Sequence, residues 1–339
     1  MLYGILAATS ALLLAAVLTA LLRMPALRLG IVDRRWRRPV PLSGGAAVVA
    51  ATCGVALVGD WRGVVPLGPE AGRLLVAAAG VALLGLVADV RRVKARFLVG
   101  GTAVAAACVV PYEETGVLAG ILAVGWIVFV ALGFKALDHA DGLAGTVGVV
   151  TAFGAAACAA AEVMDGLAVL LSVLAAALTG FLMHNWHPAR VGLGSCGALF
   201  TGFVLAAAAV TTRAGRELGS GAGVLFALTA LVAADVVLVV LARRLSGRPL
   251  LRAAPDHLAH RLRRLGLTVQ GASVVLGVGA FAGVLVAVLV HLGWIAATGA
   301  LWVAAGALIV VLALLRIRPS SAPRPVSTQV RAQLRVRNG

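Results

Sequence analysis

The chain has 339 residues, of which 61% are hydrophobic and only 12% are charged, with a formal net charge of +16. Soluble domains carry about 25% charged residues, so this composition excludes an ordinary soluble protein. We expect an all-α integral membrane protein of the plasma membrane, with several spans and no nucleic-acid partner.

Long apolar runs follow one another along the chain. A spanning helix needs about 20 mostly apolar residues, and chain order gives about eleven candidate spans: 2–22, 43–59, 71–89, 96–110, 117–134, 143–161, 166–183, 197–212, 221–242, 269–291 and 293–315. The first run has no basic residue before it, which favours a retained helix over a signal peptide. We expect one membrane domain over residues 1–318 and a basic, disordered cytoplasmic tail over 319–339.

Basic residues are concentrated in alternate loops. Of the 29 Lys and Arg residues, 25 lie in the loops after odd-numbered spans and in the tail. The positive-inside rule therefore predicts that these loops are cytoplasmic, with the N-terminus outside and the C-terminus inside.

The same predicted face carries most of the groups that bind metal or phosphate. It holds five aspartates and five of the six histidines: Asp33, Asp89, Asp138, Asp141, Asp256, His139, His184, His187, His257 and His260. Aspartate oxygens suit Mg²⁺, and arginine suits phosphate. A metal and phosphate site is one interpretation, and a solvated loop face is the other.

Five loops carry these residues in a recognisable order. They read IVDRRWRRPVPLSGG (31–45), LLGLVADVRRVKARFLVG (83–100), GWIVFVALGFKALDHADGLAG (125–145), NWHPARVGLGSCGALFTGF (185–203) and ADVVLVVLARRLSGRPLLRAAPDHLAHRLRRLGLT (234–268). Over nearly the whole chain they resemble the polyprenyl-phosphate N-acetylhexosamine-1-phosphate transferase family. Asp235 with Arg243 and Arg244, and the PDHLAHRLRRLG run, are similar to the branch that uses UDP-N-acetylglucosamine.

The resemblance implies an enzyme that moves N-acetylglucosamine-1-phosphate from a UDP-sugar to undecaprenyl phosphate for cell-envelope glycan synthesis. It implies Mg²⁺ as cofactor, an active site formed by cytoplasmic loops, and contact with membrane lipids; a homodimer stays open. Motif matching makes Asp89, Asp138 and Asp141 the catalytic residues and metal ligands. It gives substrate or phosphate binding to a second set: Lys135, Gly142, Arg244, His257 and His260.

The chain departs from the family pattern at several of these positions. Ala88 replaces the first of two paired aspartates, and Lys135 and Asp138 replace two asparagines. Ser195 replaces the aspartate that binds Mg²⁺ in the family, and Ala259 replaces a histidine.

These departures leave two interpretations of the site. Asp138 joins Asp89 and Asp141 around one Mg²⁺ with Lys135 on a phosphate, or Lys135 only neutralises Asp138 on the same helical face. The chain is accordingly an active transferase or a silent relative that binds lipid phosphate, a nucleotide or a partner protein.

Two other functional classes fit the sequence less well. A transporter carries polar groups at the bilayer midplane, where Asp235 stands alone, and that residue either acts in function or orients a neighbouring helix. A serine hydrolase built on Ser195 lacks the G-x-S-x-G motif.

The histidines have less specific interpretations. His184 and His187 flank Trp186 and are expected to anchor the chain at the membrane interface. Apart from the resemblance, His257 and His260 fit a phosphate site or a basic interfacial helix equally well.

Overall fold

The computed structural model describes residues 2–33, 39–64, 66–91, 93–247 and 256–317. The helices are α1 Leu2–Arg28, α2 Gly44–Trp61, α3 Gly68–Val90, α4 Ala95–Val109, α5 Tyr112–Thr115, α6 Val117–Leu137, α7 Leu143–Ala161, α8 Asp165–Asn185, α9 Gly194–Thr212, α10 Leu218–Leu228, α11 Ala230–Leu245, α12 Leu258–Arg264, α13 Val269–His291 and α14 Gly299–Leu315. Strands β1 Val32–Asp33 and β2 Val40–Pro41 pair antiparallel. The predicted tail 319–339 lies outside the described residues.

The helices confirm an all-α protein that crosses the membrane several times. Among the described residues, eight helices are long and apolar enough to span a bilayer, and the bent pair α10 and α11 makes up to a ninth. Helices α4 and α14 are shorter, with 15 and 17 residues. Each of the eleven predicted runs contains a helix, although the run 293–315 becomes helical only at Gly299. The number of spans and the orientation of the chain stay predictions.

The run 221–242, read from the sequence as one span, is divided. Helices α10 and α11 meet at Thr229 with a bend of 80°. The Leu228 carbonyl at the break accepts a hydrogen bond from Thr151 Oγ1 at 3.4 Å, and Thr229 Oγ1 donates to the Leu225 carbonyl at 2.8 Å. Irregular backbone at membrane depth is tolerated where protein groups satisfy it in this way.

Helix α9 lies at the centre of the bundle. Within its spanning window 94% of the residues are buried, and it packs against α2, α3, α6 and α7. Its sequence, GSCGALFTGFVLAAAAVTT, is dominated by small residues. Lipid provides little hydrophobic drive between helices, so close packing through small side chains stabilises such a bundle.

Three neighbouring helices approach the α9 backbone at glycines. A Cβ added to Gly45 of α2 would lie 2.2 Å from the Gly197 nitrogen, and one added to Gly85 of α3 would lie 2.5 Å from the Ser195 carbonyl oxygen. A Cβ on Gly202 would lie 2.7 Å from Ala131 Cα of α6. These distances are too short for any side chain, so glycine is needed for the helices to sit this close.

The short hairpin fastens the segment that leads into α9. Gly192 N donates to the Pro41 carbonyl of β2 at 2.8 Å, and Gly44 N donates to the Gly192 carbonyl at 3.1 Å. The first residues of α9 are thus held in register with the start of α2.

Substitution of Gly45 by alanine tests this packing. We expect Gly45→Ala to destabilise the protein by about 1–3 kcal/mol, because the added methyl group overpacks the contact with α9. The measurement is the apparent Tm of purified protein in detergent.

Gly54→Ala on the same helix is the matched control, since a Cβ there meets no atom within 4 Å. It should leave Tm unchanged or raise it, because alanine favours helix over glycine by about 1 kcal/mol. Equal Tm values for the two variants would contradict the packing described for α2 and α9.

Candidate active site

The N-terminus of α9 is held by two carboxylates from other helices. Gly194 N donates to Asp138 Oδ2 at 2.8 Å, while Ser195 N and Cys196 N donate to Asp89 Oδ1 and Oδ2 at 2.8 and 2.9 Å. The first amides of a helix have no partner within it, and a carboxylate there also balances the positive end of the helix dipole. Asp89 and Asp138 together cap this buried helix end.

The residues at positions 194 and 195 allow the Asp89 carboxylate to approach the start of α9. Gly194 has φ of +70°, and a Cβ there would lie 2.7 Å from Asp89 Oδ2. The Ser195 side chain also hydrogen-bonds Asp89. The serine that stands in place of the family's metal-binding aspartate is therefore a partner of Asp89.

Lys135 lies in the last turn of α6 and interacts electrostatically with Asp89. Asp138, which the sequence places on the same helical face as Lys135, is the C-cap residue of that helix. One cation and two carboxylates thus lie at the start of α9, whereas the site predicted from the sequence also included Asp141.

Asp141 belongs to a separate network. His187 Nδ1 and Ala189 N donate to Asp141 Oδ2 at 2.6 and 3.1 Å, and Ser273 Oγ donates to the Asp141 carbonyl at 2.8 Å. The side chain of Asp141 is only 5% exposed. Asp141 therefore fastens the loop after α8 to the start of α7, and His187, expected only as an interfacial anchor, is its partner.

Gly142 supports the same loop. It adopts φ of +72°, its amide donates to Asn185 Oδ1 at 3.0 Å, and Asn185 Nδ2 donates to the Val191 carbonyl at 2.8 Å. A Cβ at residue 142 would lie 3.0 Å from the Trp186 ring. The structure gives Gly142 a backbone role in this turn.

A second polar cluster joins three histidines to the buried Asp235. His257 Nδ1 donates to Asp235 Oδ2 and Leu258 N donates to Asp235 Oδ1, each at 2.8 Å. The His139 ring stacks on His257 with centroids 4.0 Å apart, and the His260 ring lies 5.0 Å from His139. We call His139, Asp235, His257 and His260 the histidine cluster.

Two of these histidines are neutral at physiological pH. Burial lowers the pKa of His139 to about 3, helped by the nearby charge of His257, and burial likewise lowers the pKa of His260 to about 4. Neutral imidazoles attract phosphate weakly, and they are the form that binds metal ions.

The arginines of the fifth loop differ in their surroundings. The predicted Arg244 is exposed, whereas Arg243 is buried with its Nε 3.5 Å from Asp256 Oδ2. Arg261 is 1% exposed, and its guanidinium donates to the Asp256, Leu314 and Ile317 carbonyls at 3.1, 2.7 and 2.9 Å. Burial lowers the pKa of Arg261, and this side chain ties α12 to the end of α14.

The structure thus places most of the predicted site residues in three groups: Asp89, Lys135 and Asp138 at the start of α9, Asp141 and Gly142 at the loop after α8, and His257 and His260 in the histidine cluster. Within the described ranges, His139, Asp235 and His257 form the one set of three or more His, Cys, Asp or Glu whose ligand atoms all lie within 4.8 Å of one another. The three aspartates predicted to bind Mg²⁺ do not form such a set. Their assignment as metal ligands stays a prediction.

Two replaced positions have apolar surroundings. Ala88 lies on α3 and packs against the hydrophobic core, and Ala259 of α12 is 1% exposed within that core. At these two positions the chain therefore has no polar side chain that could join the hydrogen-bond networks described above.

Several interacting residues were not found from the sequence. Arg243 and Arg261 had no assigned site role, His187 was expected only as an interfacial anchor, and His139 was noted only for its predicted face. A buried aspartate such as Asp235 signals that partners exist, but its separation of 22 residues from His257 follows no periodicity that would identify the pair.

Comparison with known proteins identifies one family, and the family model and the relatives agree on it. The family model described as glycosyl transferase family 4 matches residues 72–213. This region contains Asp89, Asp138, Asp141 and Ser195 and ends before the segment with His257 and His260.

Three relatives illustrate the similarity. A Streptomyces coelicolor protein that carries a provisional name as a glycosyltransferase is 66% identical over 94% of this chain and 78% of its own length. A phospho-N-acetylmuramoyl-pentapeptide-transferase of Rubrobacter xylanophilus is 33% identical over 65% of this chain and 66% of its own. A decaprenyl-phosphate N-acetylglucosaminephosphotransferase of Mycobacterium tuberculosis is 30% identical over 72% of this chain and 61% of its own.

Substitution of Asp89 tests the cap on α9. We expect Asp89→Asn to destabilise the protein by about 1–3 kcal/mol, because one amide side chain replaces two acceptor oxygens and leaves a buried N–H unsatisfied. The apparent Tm in detergent reports the change.

Asp165→Asn is the matched control, since Asp165 also lies at a helix N-terminus but is exposed. Loss of an exposed charge there should cost about 0.3–1 kcal/mol at most. A Tm for Asp89→Asn no lower than that of Asp165→Asn would rule out the cap as a stabilising contact.

Proposed function

Because the chain belongs to glycosyl transferase family 4, with the polyprenyl-phosphate N-acetylhexosamine-1-phosphate transferases, we propose that it keeps the family's phosphate-binding face but lacks metal-dependent transfer. In this proposal it binds undecaprenyl phosphate and a UDP-sugar at the end of the bundle that carries Asp89, Lys135 and Asp138. The protein itself is a multi-pass protein of the cell membrane.

One observation carries the loss of transfer: the three carboxylates predicted to bind Mg²⁺ are partners of other protein groups, Asp89 and Asp138 at the start of α9 and Asp141 in the loop after α8. Both oxygens of Asp89 and one of Asp138 accept backbone N–H groups. Mg²⁺ requires near-octahedral oxygen ligands at about 2.0–2.1 Å, and the neutral Ser195 stands where the family supplies a further carboxylate. Because the three aspartates also do not converge on one point within the described residues, they do not form a Mg²⁺ site there.

The retained phosphate binding is supported by the charges around this site. Lys135 lies beside the start of α9, and Arg190, Arg244 and Arg263 are exposed at positions of the same predicted face. Clustered cations raise the local concentration of anionic ligands and hold phosphate by charge-assisted hydrogen bonds. A lipid phosphate that enters along the membrane surface would meet this set first.

The second candidate function is active transfer of N-acetylglucosamine-1-phosphate. The gathering of Lys135, Asp89 and Asp138 at one helix end favours it, since phosphoryl transfer depends mainly on positioning and charge neutralisation. In that reaction an oxygen of undecaprenyl phosphate bonds to the β-phosphorus of the UDP-sugar. The bond from that phosphorus to the bridging oxygen breaks, and UMP leaves.

A transfer assay distinguishes the two candidates. Purified full-length protein is incubated with undecaprenyl phosphate, Mg²⁺ and radiolabelled UDP-N-acetylglucosamine, then with a panel of other UDP-sugars, and lipid-linked label is scored with and without EDTA. We expect no product from any donor. EDTA-sensitive product that disappears in Asp138→Asn would overturn the loss of transfer and establish the active enzyme.

A binding assay tests the retained function. We expect undecaprenyl phosphate in nanodiscs to raise the apparent Tm in a saturable way, while undecaprenol, which lacks the phosphate, does not. Lys135→Gln should weaken this binding about tenfold, which corresponds to the roughly 1.4 kcal/mol of one charge-assisted contact.

Lys94→Gln is the control, since Lys94 is an exposed lysine of the same predicted face that has no place in the site. It should bind the lipid as the unsubstituted protein does. Absence of phosphate-dependent binding in a folded sample would overturn the proposal.

A further inference from the structure

The histidine cluster has the composition of a transition-metal site. Ligand atoms of His139, Asp235 and His257 all lie within 4.8 Å of one another. The Asp235 side chain is fully buried and that of His257 is 14% exposed. The three residues come from the loop after α6, from α11 and from the start of α12, so the cluster forms only when these elements pack together.

The hydrogen bonds fix which nitrogens are available. His257 Nδ1 donates to Asp235 at 2.8 Å, so the lone pair of that ring is on Nε2. The His139 Nδ1 donates to the Ala136 carbonyl at 2.8 Å, so its lone pair is also on Nε2. A carboxylate or carbonyl bound to the far nitrogen of a histidine is the usual support of a metal-binding imidazole.

Two nitrogens of the cluster lack partners among the described residues. His139 Nε2 and His260 Nδ1 are buried and accept or donate no hydrogen bond. A buried polar atom without a partner costs about 1–3 kcal/mol. A cation bound by these nitrogens would remove that cost.

We propose that His139 and His257 bind a divalent transition-metal cation of the zinc class through Nε2, with Asp235 holding the His257 ring through Nδ1 and His260 close enough to complete the coordination. Imidazole nitrogens are usual ligands of such ions, whereas Mg²⁺ favours oxygen ligands alone. The stacked rings of His139 and His257 must open, since a bound metal lies in the plane of each ring.

This site is separate from the capped end of α9. Asp138 turns to Gly194, while its neighbour His139 stacks on His257. The proposal therefore does not depend on substrate binding or transfer, and the two can fail independently.

Metal titration tests the site. The full-length protein is purified through a tag without histidines, stripped with a chelator and titrated with Co²⁺, whose visible absorption bands report tetrahedral nitrogen and oxygen ligands; Zn²⁺ is then added as competitor. We expect one Co²⁺ per chain, displaced by Zn²⁺ and unaffected by millimolar Mg²⁺.

Three variants locate the ion. His139→Phe keeps an aromatic ring on His257 and should weaken Zn²⁺ binding at least 10-fold, and Asp235→Asn should weaken it about 10- to 100-fold. His184→Phe changes a histidine outside the cluster and should leave binding unchanged.

Two results would overturn the proposal. A folded, chelator-treated protein that shows no stoichiometric Co²⁺ band and no Zn²⁺-dependent rise in Tm has no such site. Stoichiometric binding that survives His139→Phe unchanged also overturns it, because the ion would then lie elsewhere.

Discussion

The start of α9 is the constraint on which the rest of the site depends. A helix buried on every side cannot leave its first amides to water, so other elements must supply acceptors. Asp89 from α3 and Asp138 from the end of α6 do so, and the glycines of α2 and α3 bring those helices close enough. The packing of four helices and the position of two carboxylates are therefore one structural solution.

Consecutive residues after α6 serve different parts of the protein. Asp138 binds α9, His139 stacks on the start of α12, and Asp141 fastens the loop after α8. The short α12 is in turn held from two sides, by Asp235 through Leu258 N and by Arg261 through the end of α14. The segment 138–142 thus connects three loop motifs that are far apart in the chain.

The sequence was sufficient for the helices and for the family, and less so for the contacts. Each of the eleven apolar runs contains a helix, because long apolar stretches have few other structures in lipid. The break at Thr229 could not be predicted, since neither proline nor glycine marks it.

The roles of individual site residues required the structure. Asp89 and Asp138 were identified by residue type, but their role as caps depends on α9 starting at Gly194 rather than at 197 as the apolar run suggested.

Asp138 also limits which residue can stand at position 195. In the family pattern the negative charge is at position 195 and position 138 is neutral; here the two are exchanged. Aspartates at both positions would crowd a third carboxylate beside Asp89, and a chain with neither would lose one charge from this helix end. Positions 138 and 195 are therefore coupled through the start of α9, because a carboxylate at one of them raises the electrostatic cost of a carboxylate at the other.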